Sequence, residues 1–242
     1  MSTAPRGGWA FEHRVATAGE LHEPWPGDPT GAGVDRMAAL CTVTRPAIVL
    51  GSTQQRTTVD TARAAALGID VTRRGSGGGA VLVAPGAQVW FDAWISRHDV
   101  LWEDDVLRSS AWLGRLWARV LEALGMHNAD VHVGRAAADA SSRLVCFAGL
   151  GPGELSTGGV KVVGVSQRRT RHGARFSSVA MVSWDPAAVV DLLAPAARGV
   201  LGPADRLAAS ATGLRHALPS LARHTDEGIV SLVGNALLDA LR

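Results

Sequence analysis

This chain of 242 residues has no tyrosine, two cysteines and a single lysine. Two cysteines, Cys41 and Cys146, do not make a disulfide framework. No apolar run approaches the ~20 residues that a membrane helix needs, so no membrane partner is expected. A formal net charge of +2 demands no polyanion, and no nucleic-acid partner is expected. Met1 to Trp9 carries no apolar segment of the signal-peptide kind. The expectation is a cytoplasmic protein with reduced thiols. His13, His22 and His98 have no spacing that suggests a metal site.

The scarcity of lysine is the most informative of these absences. Of 24 lysine and arginine residues, all but Lys161 are arginine. Lys161 sits among glycines and apolar residues, in Gly158-Gly159-Val160-Lys161-Val162-Val163-Gly164-Val165-Ser166-Gln167, and not in a solvated charge run. Lysine is a compact point charge, which arginine does not replace where an ammonium must fit against a carbonyl or phosphate oxygen.

Hydrophobic residues make up 47% of the chain and charged residues 19%, the balance of a globular protein. Residues 1–8 are expected to be disordered, and His22 to Gly33 to form a Pro/Gly-rich loop. Strands are predicted over Phe11–Leu21, Pro46–Gly51, Ile69–Arg73, Val131–Val133, Arg143–Ala148, Val160–Val165 and Arg175–Val182. Ala80–Val83 and Val89–Ile95 read as a hairpin around Pro85-Gly86, with Val89, Phe91 and Ala93 alternating as on a half-exposed strand. Helices are predicted over Thr58–Leu67, Glu103–Leu124 (the longest), Pro186–Leu193, Pro203–Ala208 and Gly228–Leu241. Glu103-Asp104-Asp105 suits the positive end of a helix dipole. The fold class is α+β, with a mixed, mainly antiparallel sheet flanked by helices. Residues 1–242 are expected to form one domain, with 185–242 a small helical tail.

Three segments carry chemistry. Arg73-Arg74-Gly75-Ser76-Gly77-Gly78-Gly79-Ala80-Val81 places three consecutive glycines in a strand context. Glycine there is costly in backbone entropy, and it is used where another group must come close. The loop's N–H groups form a concave surface for an anion, and the two arginines are expected to add charge-assisted donors. A strand that carries Lys161 inward would set its ammonium against a ligand at this loop, where it can stabilise charge on an acyl carbonyl or a phosphate. Cys146, in Val145-Cys146-Phe147, reads as core or as a nucleophile whose thiolate a nearby Lys161 would favour. Trp90, Trp94 and Trp102 read as packing residues or as the lining of an acyl tunnel. Arg168, Arg169, Arg171, His172 and Arg175 read as a solvated turn or as a dock for an acidic partner.

In this order and spacing, the segments resemble the catalytic domain shared by lipoate–protein ligase A, biotin–protein ligases and the lipoyl/octanoyl transferases. The resemblance runs from about Pro46 to Val182 and is nearest to the lipoate-ligase branch. It implies attachment of lipoate or octanoate to a lysine of an acceptor lipoyl domain, such as a 2-oxoacid dehydrogenase subunit or a glycine cleavage H protein. Free acid and ATP with Mg2+ would form an acyl-adenylate, with Lys161 steadying carbonyl and α-phosphate oxygens. Arg73, Arg74, Ser76, Gly77, Gly78, Gly79 and Ala80 would wrap the acyl chain and adenylate, together with Gly164 and Ser166.

The chain departs from the family pattern at three places. Ala84-Pro85 stands where ligases often have His-Asp, and Phe176-Ser177-Ser178 where a His-Gly pair is common. Val145-Cys146-Phe147, followed by Glu154, resembles the cysteine-dependent octanoyltransferases, which form a thioester with octanoate from acyl carrier protein. Those transferases usually show Gly-Gly-Arg where this chain has Gly77-Gly78-Gly79. After Val182 there is no room for the roughly hundred-residue accessory domain of many lipoate ligases, so a separate accessory partner is one expectation. A non-catalytic acyl-binding module is a further alternative.

Overall fold

The computed structural model describes residues 8–23, 25, 35–136, 139–201 and 204–242. The expectations for residues 1–7, for most of the Pro/Gly-rich loop and for Pro203 lie outside these. Seven strands form the main sheet in the spatial order β1 (Ala10–Ala16), β2 (Arg36–Val43), β6 (Gln88–Ser96), β10 (Gly173–Met181), β9 (Val160–Arg169), β8 (Leu155–Thr157), β7 (Ala129–Val131). Only β1 and β2 run parallel within it; the other neighbours are antiparallel. A second sheet of three strands has the order β4 (Asp70–Arg73), β3 (Ala47–Leu50), β5 (Val81–Val83).

Two sheets explain why the hairpin around Pro85-Gly86 does not form. Val81–Val83 pairs with β3 in the small sheet, whereas Gln88–Ser96 pairs with β2 and β10 in the large one. The turn therefore carries the chain from one sheet to the other. It also explains why β6 is buried along its whole length and is not half-exposed. Val89, Phe91, Ala93 and Ile95 pack on one face against α3 (Ala111–Ala123) and α9 (Asp226–Asp239). Trp90 and Trp94 face the other way, against Ala47, Val49 and Val83 of the small sheet and Leu21 of α1 (Ala18–His22). Alternation on β6 thus separates two cores instead of core from water.

Local chemistry moves several element boundaries. Thr17 caps α1 in a reciprocal box with Glu20, so the first strand stops at Ala16 and does not run to Leu21. Asp60 caps α2 (Thr61–Ala66), which begins after a 3-10 turn at Arg56–Thr58. The predicted Glu103–Leu124 helix begins only at Ala111, because Asp99 and Asp105 turn the preceding segment by accepting from the Leu101 and Leu107 amides. Glu103-Asp104-Asp105 therefore does not sit on a helix N-terminus, and α9, with 14 residues, is longer than α3, with 13. Leu113, Leu116, Trp117, Val120 and Leu121 still form the buried stripe that the spacing gives.

The strand expected over Arg143–Ala148 is absent. Asp139 and Ser142 make a capping box that starts α4 (Ala140–Leu144), and Cys146–Ala148 is a 3-10 turn. Only Val145 bridges to Ala80. The C-terminal region is helical: α5 (Pro186–Asp191), α6 (Pro195–Arg198), α7 (Ala204–Ser210), α8 (Leu214–Ala217) and α9. Its Ala211 bridges Lys161, and the Thr212 amide donates to the Lys161 carbonyl at 2.8 Å. This tail fixes the backbone of the lysine strand from behind.

Candidate active site

Lys161 lies in β9 with 1% exposure. Burying an ammonium costs several kcal/mol unless it is paired and hydrogen-bonded. Here it pairs with Glu154 Oε2 at 2.7 Å and donates to the carbonyls of Cys146 at 2.7 Å and Gly149 at 3.0 Å. Its Nζ also lies 5.1 Å from the centre of the Phe147 ring. Glu154 is itself fixed, since its two oxygens accept from the amides of Gly151 at 2.6 Å and Val165 at 3.2 Å. Gly164 lies against the Lys161 side chain, where a Cβ would come 3.4 Å from Lys161 Cε, an ordinary contact distance.

The glycine loop reaches the same place from the small sheet. Gly78 has φ +94°, a conformation that side chains disfavour. A Cβ on Gly79 would lie 2.6 Å from the Val145 backbone. That close approach lets the Ala80 amide donate to Leu144 O at 2.8 Å and the Cys146 amide donate to Ala80 O at 2.9 Å. Ser76 Oγ donates to Ser166 Oγ at 3.0 Å, joining the loop to β9.

The two arginines before the loop have different placements. Arg74 is buried, and its guanidinium donates to the carbonyls of Gly77, Gly79 and Val49. It staples the loop from inside, and most of its donors are spent there instead of being held for an anion. Arg73 is exposed at the end of β4 and does not line the cavities around Lys161.

Three neighbouring spaces surround these residues. A cleft of about 710 Å³ is lined by Lys161, Glu154, Gly77–Gly79, Cys146 and Gly149. A slot of about 40 Å³ adjoins it, with walls of Val81, Val83, Trp90, Phe147 and Val179. Cys146, Arg74 and Ser166 line both. His22 and Ser177 line both the slot and a chamber of about 240 Å³, walled by Trp25 and Trp94. Trp102 is elsewhere, donating to Asp104 at the surface. Cleft and slot thus adjoin across Arg74, Cys146, Val165 and Ser166, with Lys161 on the cleft side.

A second ion pair stands beside the slot. Arg175 of β10 meets Asp92 of β6, which is fully buried. Burial alone would raise the Asp92 carboxyl, but the Arg175 guanidinium and hydrogen bonds from Arg175, Ser177 and Trp90 hold it below the usual carboxylate range. Cys41 donates to the same carboxylate, and burial pushes its thiol well up. Arg175 also donates to the carbonyls of Leu21 and Glu23, tying the end of α1 to the sheet. Burial in turn lowers His22 to about 3, so the ring is neutral where it packs, tilted by 39°, with its centre 4.7 Å from that of Trp90.

The basic cluster of the β9–β10 turn is therefore not one surface. Arg175 is inward, and Arg169 donates to Glu103 O and Asp104 O over the Trp102 ring. Arg168 lines the chamber, and Arg171 contacts His172.

Sequence reasoning did not select Glu154, Gln54, Asp92 or His22 as site residues. Gln54 accepts from the Gly51 amide and donates to the carbonyls of Arg143 and Leu144, which ties the small sheet to the Cys146 segment. Two of these had a signal: an acid within the apolar run of β6, and a glutamate closing Gly149-Leu150-Gly151-Pro152-Gly153 directly before a strand. Gln54 and His22 had none.

Comparison with known proteins agrees with this architecture. The chain matches no curated protein. A bi-partite lipoate protein ligase from Thermoplasma acidophilum, solved with its E2 lipoyl domain, superposes with TM-score 0.61 at 16% identity, over 96% of this chain and 82% of that one. A lipoate-bound P. falciparum protein gives TM-score 0.63 at 13% identity, over 96% of this chain and 61% of that one. A lipoate-protein ligase A bound with ATP gives TM-score 0.57 at 14% identity, over 96% and 94%. These likenesses are of fold. The family sequence profile described as "Lipoyl protein ligase A/B catalytic domain" matches residues 29–228, and the chain belongs to that family.

Proposed function

We propose that the protein is a lipoate- or octanoate–protein ligase, joining the acid to a lysine of an acceptor lipoyl domain through an acyl-adenylate. The observation that carries this reading is the position of Lys161, a buried ammonium lining a cleft that shares Arg74, Cys146, Val165 and Ser166 with an apolar slot. An acyl chain in the slot would bring its carboxyl group to Lys161. The cleft, at about 710 Å³, falls within the usual range of ligand pockets. Lys161 and Arg143 line it with one carboxylate, Glu154, and the backbone of the glycine loop; a triphosphate would meet these groups, while Arg74 stays on the loop's own carbonyls. Magnesium would enter with that substrate. No cluster of three or more His, Cys, Asp or Glu fit to hold a metal occurs among the described residues.

Lys161 would stabilise negative charge on the carboxyl and α-phosphate oxygens, and the glycine loop would shield the mixed anhydride from water. The acceptor lysine would then displace AMP. We read residues 1–242 as one catalytic domain in which 185–242 buttress the lysine strand; a separate accessory partner is compatible with it.

A second reading is favoured by one observation. Cys146 is partly exposed and lines both cleft and slot, where a thioester carbonyl would also reach Lys161. The protein would then be an octanoyltransferase, taking its acyl group from acyl carrier protein and needing no ATP.

One experiment separates the two. An apo lipoyl domain is mixed with the protein, either with lipoate or octanoate and Mg-ATP or with octanoyl-acyl carrier protein alone, and acceptor mass is followed. Modification only with ATP, retained in Cys146→Ser, is the expected result. Modification only from the carrier protein, lost in Cys146→Ser, replaces the ligase by the transferase. Lys161→Ala is expected to lower either activity by on the order of 100–1000-fold; full activity of this variant would remove both readings.

A further inference from the structure

Lys161 has three N–H donors and three acceptors: Glu154 Oε2, the Cys146 carbonyl and the Gly149 carbonyl. It lines the cleft, yet no donor is left over to face it. A ligand oxygen can reach Lys161 only by replacing one of the three acceptors.

They are not equally replaceable. Glu154 is 5% exposed and anchored by the Gly151 and Val165 amides, so removing the ammonium would leave a buried carboxylate without its counter-charge. The Cys146 peptide is held on both sides, by its own amide on Ala80 O and by Ser210 Oγ donating to Phe147 O. The Gly149 carbonyl belongs to Gly149-Leu150-Gly151, which spans the gap between buried Phe147 and Pro152, whose carbonyl accepts from Ser110 Oγ. Glycine at both ends of this segment gives it the backbone freedom to turn a carbonyl away.

We infer that Glu154 is a positioning residue for Lys161. With the Cys146 carbonyl it fixes two of the N–H bonds and aims the third at the point where the Gly149 carbonyl now stands in for a ligand oxygen. When an acyl carboxylate or mixed anhydride binds, the Gly149 carbonyl yields that point and Gly149-Leu150 moves, while Gly151 stays on Glu154. This rests on the reading of the site as an acyl-activating centre, but the ligand-free part of its test does not.

The test uses the full chain as wild type, Glu154→Gln, Lys161→Met and the double variant, with thermal melting to verify folding. Without ligand, Lys161→Met should raise amide hydrogen exchange over Gly149-Leu150 about tenfold, as expected when the bond that holds the Gly149 carbonyl is lost. Adding a non-hydrolysable octanoyl-sulfamoyl adenosine to wild type should produce a similar rise, and none in Lys161→Met. In turnover, Glu154→Gln should lower kcat at least ~10-fold while KM for octanoate stays within ~3-fold, as for an interaction used only in the transition state. The double variant should be no less active than Lys161→Met. Unchanged exchange in Lys161→Met overturns the inference even if the protein proves to have another activity. Additive losses in the double variant overturn Glu154 acting through Lys161. If wild type fails to modify the lipoyl domain while the exchange result holds, only the ligase reading falls.

Discussion

Two buried ion pairs stand on the same sheet, and they differ in what surrounds them. Asp92–Arg175 links β6 to β10; its remaining hydrogen-bonding capacity is taken up by Trp90, Cys41 and the carbonyls at the end of α1. Glu154–Lys161 borders an open cleft, and one of its bonds goes to a glycine-flanked carbonyl that can be exchanged. Burial and charge are shared, so neither marks function. Both pairs touch a cavity, since Arg175 lines the chamber; what distinguishes the lysine pair is an acceptor that can leave. The arginine pair closes on fixed elements and keeps the slot wall in place.

The largest expected effect tests the closed pair. Asp92→Ala leaves Arg175 charged and largely buried, with its counter-charge gone, and it should cost about 3 kcal/mol in urea unfolding. Lys161→Ala also strands a carboxylate, but Glu154 keeps its two backbone donors and adjoins a cleft that admits water. Its stability loss should be clearly smaller than that of Asp92→Ala. Equal losses would erase the distinction between the pairs.

A smaller effect is expected where the glycine loop meets β3. A Cβ at position 51 would fall 1.9 Å from Gly78 O, whereas one at Gly77 meets nothing within 4 Å. Gly51→Ala should therefore cost about 1–3 kcal/mol as an overpacking change and push the loop off the cleft. Acyl transfer should fall in this variant and be nearly kept in Gly77→Ala, with both read by acceptor mass and thermal melting. Equal activity of the two would detach the loop from the lysine end of the comparison.

Sequence legibility follows the same division. The glycine loop and Lys161 could be read because each asks for a residue type that nothing else would place there: backbone close to Val145, and an ammonium among apolar neighbours. The α+β class could be read from alternating strands and the stripe of α3. The small sheet could not, since alternation in Val89–Ile95 is the same whether the outer face meets water or a second core. The role of Arg74 was hidden for a related reason. A sequence gives a guanidinium next to glycines, and only the fold decides whether it turns toward a ligand or onto the loop's own carbonyls. Asp92 and Arg175, 83 residues apart, become partners only through the pairing of β6 with β10.

The smallest expected effect lies in acid and concerns the slot wall that the closed pair supports. Burial, with the nearby Arg175, Arg74 and Arg14 charges, lowers His22 to about 3 in the folded protein from an ordinary 6.5, against an opposing pull from Asp92. Between these values the unfolded chain binds a proton at this position and the folded chain does not, so stability falls as pH drops from about 6.5 toward 3. Asp92 acts lower down: its carboxyl is held below the ordinary 3.8, so the stability it contributes is present above that pH and is lost only as pH falls through its folded value. The window from pH 6 to 4.5 therefore isolates His22 from Asp92. His22→Asn should flatten the fall of the urea midpoint across that window while leaving the steeper loss below it. An unchanged slope would mean that the ring protonates freely in the folded state, and that the end of α1 opens to solvent despite its ties to Arg175.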